Sequence, residues 1–254
     1  MDGQYFALLI DADNVSAKYI KPILTELSRY GNITYKRIYG DWTSTQHSSW
    51  KDELLKNSIT PIQQFSYTQG KNATDSAMII DAMDILYANA VDGFCIVSSD
   101  SDFTRLVSRL RESGKTVIGM GENKTPEPFR NACDEFVYLE NLSKDTDTQT
   151  AAVQKPAETA KRNAQESAEE RRKAKELKEI HKLLRIAWDK YQDDDGYVNV
   201  SSAGQYIKRA RPDFDARTYG YVKLPELIEA FPKRYSMKRY PGKGTVTIIA
   251  YKCL

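Results

Sequence analysis

Histidine and cysteine are scarce. The 254 residues include two histidines, His47 and His181, and three cysteines, Cys95, Cys133 and Cys253. No two cysteines form a CxxC pair, which argues against a disulfide scaffold or a zinc ribbon. Two histidines are too few for a histidine-rich metal cage or for a mechanism that uses one histidine as acid and another as base. Any chemistry must rest mostly on carboxylates. Long apolar runs are absent as well: the longest near the start, Tyr5 to Ile10, falls far short of the roughly 18 to 20 residues a membrane helix needs. That stretch lacks a basic flank and a small-residue cleavage site, so no signal peptide is expected and the cytoplasm is the expected location. No membrane association is expected.

What is present describes a soluble globular chain, 41% hydrophobic and 28% charged, with a mean hydropathy of −0.59. The formal charge of +2 hides an asymmetry. Residues 1–142 carry 14 basic and 19 acidic side chains, a balance of −5, whereas residues 181–254 carry 14 basic and 8 acidic, a balance of +6. Between the two, residues 143–176 hold no aromatic and only Val153 beyond alanine, so they cannot bury a core and read as a charged linker. Its second half, QESAEERRKAKELKEIHKLL, is rich in helix formers and is expected to run into the first helix of the C-terminal domain. The chain therefore divides into residues 1–142, a linker over 143–176, and residues 177–254.

The first domain alternates apolar runs with amphipathic ones. Strands are expected at Tyr5–Asp11, Ile33–Tyr39, Thr60–Gln64, Gly93–Ser99 and Thr116–Met120. Helices fall between them: Ile20, Ile23, Leu24 and Leu27 share one face, a short helix spans Ser49–Lys56, another Asp75–Tyr87, and Phe103, Leu106, Val107 and Leu110 mark a fourth. Such alternation implies an α/β fold with a doubly wound parallel sheet, whose ligands bind at the carboxyl ends of the strands.

Acids recur at those ends. Asp11 and Asp13 follow the first strand, and Asp100 and Asp102 follow the fourth. If the strand order reverses beside strand one, strands one and four are neighbours and these acids face one another across the crevice. Asp75 opens the helix that starts at the same edge. Carboxylates crowded in this way repel unless a cation lies among them, and a hard divalent ion such as Mg²⁺ or Mn²⁺ suits oxygen ligands. Such a site serves phosphodiester hydrolysis, and neutralising one acid of a repulsive set, as in Asp11→Asn or Asp100→Asn, should spare the fold. Each acid also has a plainer role: Asp75 or Thr74 as a helix cap, Asp13 and Asn14 as turn formers, Asp102 as a cap before Phe103. Asp81 and Asp84 are assigned to a solvated helix face, and Asp41 is a weaker candidate ligand.

The C-terminal segment reads as a small winged helix. Ile180, Leu183, Leu184 and Ala187 form one apolar stripe, a helix covers Ser201–Arg209, KLPELIEAF supplies another, and YSMKRY and TVTIIAY flank PGKG as a hairpin wing. Arg217, Lys223, Lys233, Arg234, Lys238, Arg239 and Lys243, interleaved with Tyr219, Tyr221 and Tyr240, offer phosphate contacts and stacking platforms for RNA. The wing residues Lys238, Arg239 and Lys243 are the strongest of these. Lys71, just before the helix that carries Asp75, joins the candidates. The plainer reading has the tyrosines packing the core while the lysines solvate its rim.

Four segments, LLIDADN, YTQGKNATDSAMIIDAMDILY, VDGFCIVSSDSDFTRLVSRLRESGKTVIGMG and TPEPFRNACDEFVYL, closely resemble the NYN domains, relatives of the PIN-domain nucleases, in their bacterial subfamily. The resemblance implies the strand order assumed above, Mg²⁺ or Mn²⁺ as cofactor, and ribonuclease activity with endonucleolytic cleavage expected. It places the catalytic and metal-binding acids on Asp11, Asp75, Asp100 and Asp102, with Asp13 and Asn14 in support. Some relatives carry an acidic pair at the helix position, where this chain has Ser76 after Asp75. GQYIKRARPDFDARTYGYVKLPELIEAF resembles OST-HTH/LOTUS domains over about residues 177–251. Those are RNA-binding modules, and some relatives bind proteins instead. PIN relatives often pair, so a homodimer is compatible with the resemblance. The leading reading is thus a two-domain, metal-dependent ribonuclease; the alternative is an RNA- or protein-binding adaptor that turns over poorly. A haloacid-dehalogenase-type phosphatase, suggested by the DxD of LLIDADN, is disfavoured because SSDSDF fits its later acid motif poorly.

Overall fold

The computed structural model describes residues 3–43, 45–65, 73–144, 159–241 and 247–254, and the chain divides into two compact units, residues 1–149 and 150–254. In the first unit six strands form one parallel sheet: β1 (Tyr5–Asp11), β2 (Asn32–Gly40), β3 (Thr60–Gln63), β4 (Gly93–Val97), β5 (Thr116–Gly121) and β6 (Glu135–Tyr138). Their order is β3-β2-β1-β4-β5-β6, so the reversal falls beside β1 as the sequence implies. The sixth strand, within NACDEFVYL, has no counterpart among the five strands read from the sequence.

β1 is apolar on both faces because helices cover both. Phe6, Leu8 and Ile10 join one buried cluster, and Ala7 and Leu9 the other. Burying each large aliphatic side chain is worth about 1.5–3 kcal/mol, enough to pin β1 at the sheet centre. The helices are α1 (Ile20–Leu27), α2 (Lys51–Asn57), α3 (Ala73–Ala88), α4 (Thr104–Glu112), α5 (Glu127–Ala132) and α6 (Leu139–Lys144). β5 ends close against the loop that follows β4. A Cβ at Gly121 would lie 2.5 Å from the Ser98 carbonyl oxygen, so only glycine permits that approach.

One expectation is corrected here. Asp84 is exposed, but Asp81 is not on a solvated face: it accepts hydrogen bonds from the Arg37 guanidinium and the Tyr39 hydroxyl, both on β2. Helical periodicity cannot tell a polar residue facing solvent from one that meets a charged strand residue. The pairing raises the Arg37 pKa, and Tyr39 is pushed up by burial first and then by Asp81. α3 is thereby fixed to β2.

In the second unit α7 (Thr159–Tyr191) begins inside the stretch assigned to the linker, as the helix-forming composition of that stretch suggests. It is followed by β7 (Val198–Asn199), α8 (Val200–Ala210), α9 (Leu224–Glu229), β8 (Tyr235–Pro241) and β9 (Thr247–Cys253). The strands form an antiparallel sheet in the order β7-β9-β8, and Ile180, Leu184, Ile207, Leu227 and Tyr251 build the core. Asn199 caps α8 by accepting the Ser201 amide at 2.8 Å. Among the described residues no helix is long and apolar enough to cross a membrane.

Removing the Asp81 carboxylate leaves half-buried Arg37 and buried Tyr39 without this acceptor. Asp81→Ala is expected to lower the unfolding free energy by about 2–3 kcal/mol, measured by urea denaturation. A loss under about 0.5 kcal/mol would show that the pairing is incidental.

Candidate metal centre

The site lies at the carboxyl ends of β1 and β4, which the topology makes adjacent. Two short turns deliver its acids. After β4, the Asp100 side chain accepts the Asp102 amide at 2.9 Å and caps the helical turn Ser101–Phe103. The cap expected of Asp102 is therefore provided by Asp100, and Asp102 is left on the outer side of that turn. Asp75 sits in the first turn of α3. Carboxylate oxygens of Asp75, Asp100 and Asp102 all lie within 4.8 Å of one another, the one group of this kind among the described residues.

Asp11 differs from these three. It is fully buried, and both its oxygens are engaged: Oδ1 accepts the Asp13 amide at 3.0 Å, and Oδ2 accepts Asn14 Nδ2 and Ser98 Oγ, each at 2.7 Å. Burial raises its pKa, while the bonds from Ser98 and Asn14 oppose that shift. This geometry argues against the expectation that Asp11→Asn spares the fold. An amide has only one accepting oxygen for three donors and turns an NH₂ group toward the others.

Ser98 ties the two strand ends together. Its hydroxyl donates to Asp11 and accepts the Asp100 amide at 3.1 Å. Nothing in the sequence pattern marks it beyond its place directly after an apolar strand. The repulsion within the set is visible in Asp75, whose pKa is raised to about 6, first by burial and then by Asp11, Asp100 and Asp102. An all-oxygen donor set in which like charges raise the pKa of one member suits a hard divalent cation, which would relieve the repulsion.

The remaining candidates scatter. Asp13 is exposed and lies 3.1 Å from Nε2 of buried His47, whose Nδ1 is 3.0 Å from the Asp41 carbonyl oxygen. Asp41 accepts from Thr43 and from Gln63 Nε2, so its carboxylate is engaged in holding the loop after β2. In the second unit Arg217 is half-buried and held by Asp215 at 2.8 Å. Lys223 is exposed beside α9, Lys238 lies 3.5 Å from Asp195 and over the Tyr197 ring, and exposed Arg239 pairs with Glu229. Tyr219 and Tyr221 pack against the core, and Tyr240 is half-buried. Lys71 and Lys243 fall outside the described residues. A basic and aromatic cluster that the sequence reading passes over, Lys190 with Tyr191 and Tyr206, lies at the junction of α7 and α8, where the ammonium is 5.4 and 6.0 Å from the ring centroids.

A PIN-like α/β sheet with carboxylates gathered at its switch point is thus joined in one chain to a small basic domain. Residues 5–140 match the NYN domain model, just over half of the chain, and residues 172–247 match the OST-HTH/LOTUS domain model. The chain belongs to the NYN domain family and carries an OST-HTH/LOTUS domain. It is 30% identical over 119 residues to the uncharacterized protein MJ0482 of Methanocaldococcus jannaschii, covering 45% of this chain and 46% of that relative. The match therefore spans about half of either protein. Among solved structures it is similar to VPA0982 of Vibrio parahaemolyticus, a protein of unknown function, at 18% identity and a TM-score of 0.46, over 54% of this chain and 93% of the other. It is also similar to an uncharacterized protein from locus NE0665 of Nitrosomonas europaea, at 22% identity and a TM-score of 0.27, over 42% and 83%. Neither likeness is close enough to bear on function.

Asp75 holds its proton more tightly folded than unfolded, where its pKa is 3.8, so its ionisation costs stability as pH rises from about 4 through about 6. In metal-free protein the melting temperature of Asp75→Asn relative to wild type is expected to climb across that window. Parallel pH profiles for the two proteins would exclude repulsion at Asp75.

Proposed function

We infer that this protein is a divalent-cation-dependent ribonuclease, in which the NYN domain hydrolyses RNA and the OST-HTH/LOTUS domain holds it. The observation that carries this reading is the trio Asp75, Asp100 and Asp102, with oxygens within 4.8 Å of one another at the switch point of a PIN-like sheet. These three would hold one Mg²⁺ or Mn²⁺. When bound, such an ion clamps phosphodiester oxygens and lowers the pKa of water. The chain's own residues do the rest. Asp11 and Ser98 fix the β1 and β4 ends relative to each other, and the hydrogen bonds to Asp11 keep its charge tolerable in a buried place. Asp13 and Asn14 close the turn beside it.

RNA rather than DNA is the proposed substrate because the second domain belongs to a class of RNA-binding modules. Lys238, Arg239 and Lys223 are exposed for phosphate contact. Arg217 is less suited because its pair with Asp215 is half-buried, whereas the pairs of Lys238 with Asp195 and of Arg239 with Glu229 are exposed to water.

Two experiments test the reading. Labelled single-stranded and duplex RNA and DNA are incubated with the full chain in Mg²⁺, Mn²⁺ or EDTA. Cleavage of RNA is expected with either ion and none in EDTA, and Asp100→Asn is expected to lower the rate at least a hundredfold. Cleavage that survives exhaustive chelation, or an unaffected Asp100→Asn, would refute the assigned site. Metal binding without turnover on any RNA would favour the adaptor. For the second domain, Lys238→Ala with Arg239→Ala should lower the slope of log affinity against log salt by roughly 1.4, at about 0.7 per lost single-strand contact. An unchanged slope places the RNA elsewhere.

A further inference from the structure

His47 is a buried polar side chain that the reaction described above does not use. It belongs to the helical turn Thr45–Trp50, and only 6% of it is exposed. Both ring nitrogens are occupied: Nδ1 lies 3.0 Å from the Asp41 carbonyl oxygen, and Nε2 lies 3.1 Å from Oδ1 of Asp13. A carbonyl oxygen can only accept, so Nδ1–H donates to it, and Nε2 meets the carboxylate across one further proton. The ring is wedged between the ends of β1 and β2. A Cβ at Gly40 would stand 3.0 Å from the Ala12 Cβ and 3.4 Å from His47 Cε1, so glycine at the last position of β2 makes room for the imidazole. Trp42, whose indole is held by the Ile62 carbonyl, packs on it with centroids 5.4 Å apart.

The carboxylate that His47 fixes stands beside the acid site. Asp13 is exposed, and its backbone amide donates to buried Asp11 at 3.0 Å. Asp11 in turn accepts Ser98 Oγ, which accepts the Asp100 amide. An unbroken run of contacts therefore joins His47 to the loop that carries Asp100 and Asp102. The pKa of Asp75 is raised first by burial, then by Asp11, Asp100 and Asp102, and last by Asp13, so the Asp13 charge is felt at the trio. A hard divalent ion keeps several of its waters, and those waters need acceptors. An exposed carboxylate that turns freely serves them poorly, because bonding costs it rotamer freedom. One clamped from behind by a buried ring has already given up that freedom.

We propose that His47 is a positioning residue for the cation site: it holds the Asp13 carboxylate toward the hydrated side of the ion that Asp75, Asp100 and Asp102 would bind. This rests on the cation site of the ribonuclease reading and not on RNA as the substrate.

The test is Mn²⁺ binding to the full chain without RNA, followed by the electron paramagnetic resonance signal of free Mn²⁺, with melting curves on the same samples. His47→Leu and Asp13→Asn are each expected to weaken Mn²⁺ binding about tenfold, the lower end of the roughly 10- to 100-fold loss usual when the partners of metal ligands are removed. The double variant should bind no more weakly than either single one, because His47 acts through Asp13. His47→Gln, whose amide can still donate toward Asp13, should keep most of the affinity, whereas His47→Asn, which reaches only toward Asp41, should not. Where His47→Leu does not fold, His47→Asn takes its place in the cycle. A merely structural His47 gives another pattern: losses that add in the double variant, follow the melting temperature and are not rescued by Gln. That pattern, an unchanged affinity in a folded His47→Leu, or a wild-type chain that binds no Mn²⁺ would overturn the proposal. If the Mn²⁺ cycle holds while no RNA is cleaved, the ribonuclease reading falls alone.

Discussion

Mutual repulsion among the acids at the ends of β1 and β4 is the constraint around which the N-terminal domain is arranged. Unit charges 4.8 Å apart interact by on the order of 3 kcal/mol at an effective dielectric near 20. Exposure of Asp102 to water lowers its share. The cost is nevertheless comparable to burying one or two large apolar side chains, at about 1.5–3 kcal/mol each. β1 alone buries Phe6, Leu8, Leu9 and Ile10. The core can hold the acids together without a cation, and the pKa of Asp75, raised first by burial, is raised further by the charges of its neighbours.

The same balance explains why supporting contacts concentrate at this edge. Asp11 is buried, where an unpartnered carboxylate would be far more costly than an exposed one. Ser98, Asn14 and the Asp13 amide meet that cost directly. Ser98 has a second role through the Asp100 amide, so one hydroxyl couples the buried acid to the loop that carries Asp100 and Asp102. Further along α3, the helix that carries Asp75, Asp81 binds the helix to β2 through Arg37 and Tyr39.

Much of this was legible in the sequence because it follows from period and order. Apolar runs alternating with helical stripes give the parallel sheet, and the position of LLIDADN and SSDSDF after successive β1 and β4 runs predicts their adjacency. The remainder depended on contacts between residues far apart in the chain. Asp81 meets Arg37 across 44 positions, and Ser98 meets Asp11 across 87, distances at which neither periodicity nor local propensity carries information. β6 was missed for another reason: EFVY is four residues long and follows a short helix without a strong turn signal. In the second domain, alternating basic and aromatic residues look alike whether the rings stack on a ligand or on the core. The packing of Tyr219 against Phe214, with centroids 6.3 Å apart, decides for the core at that position.

The donor set also bears on how many cations the site would take. Asp75, Asp100 and Asp102 together bring a charge of about −3 when ionised, and one divalent ion leaves the group near −1, a balance an approaching phosphate tolerates. A second ion needs further oxygen ligands within reach. Asp11 is the nearest acid by sequence and topology, but both its oxygens already accept hydrogen bonds from three donors. A carboxylate offers about four acceptor sites, so Asp11 keeps one free on Oδ1, beside the Asp13 amide, while Oδ2 holds Asn14 and Ser98. The residue after Asp75 is Ser76, which adds a hydroxyl rather than a charge. A second ion would thus find one free carboxylate site on buried Asp11 and no further acid beside Asp75, a poorer donor set than the trio Asp75, Asp100 and Asp102.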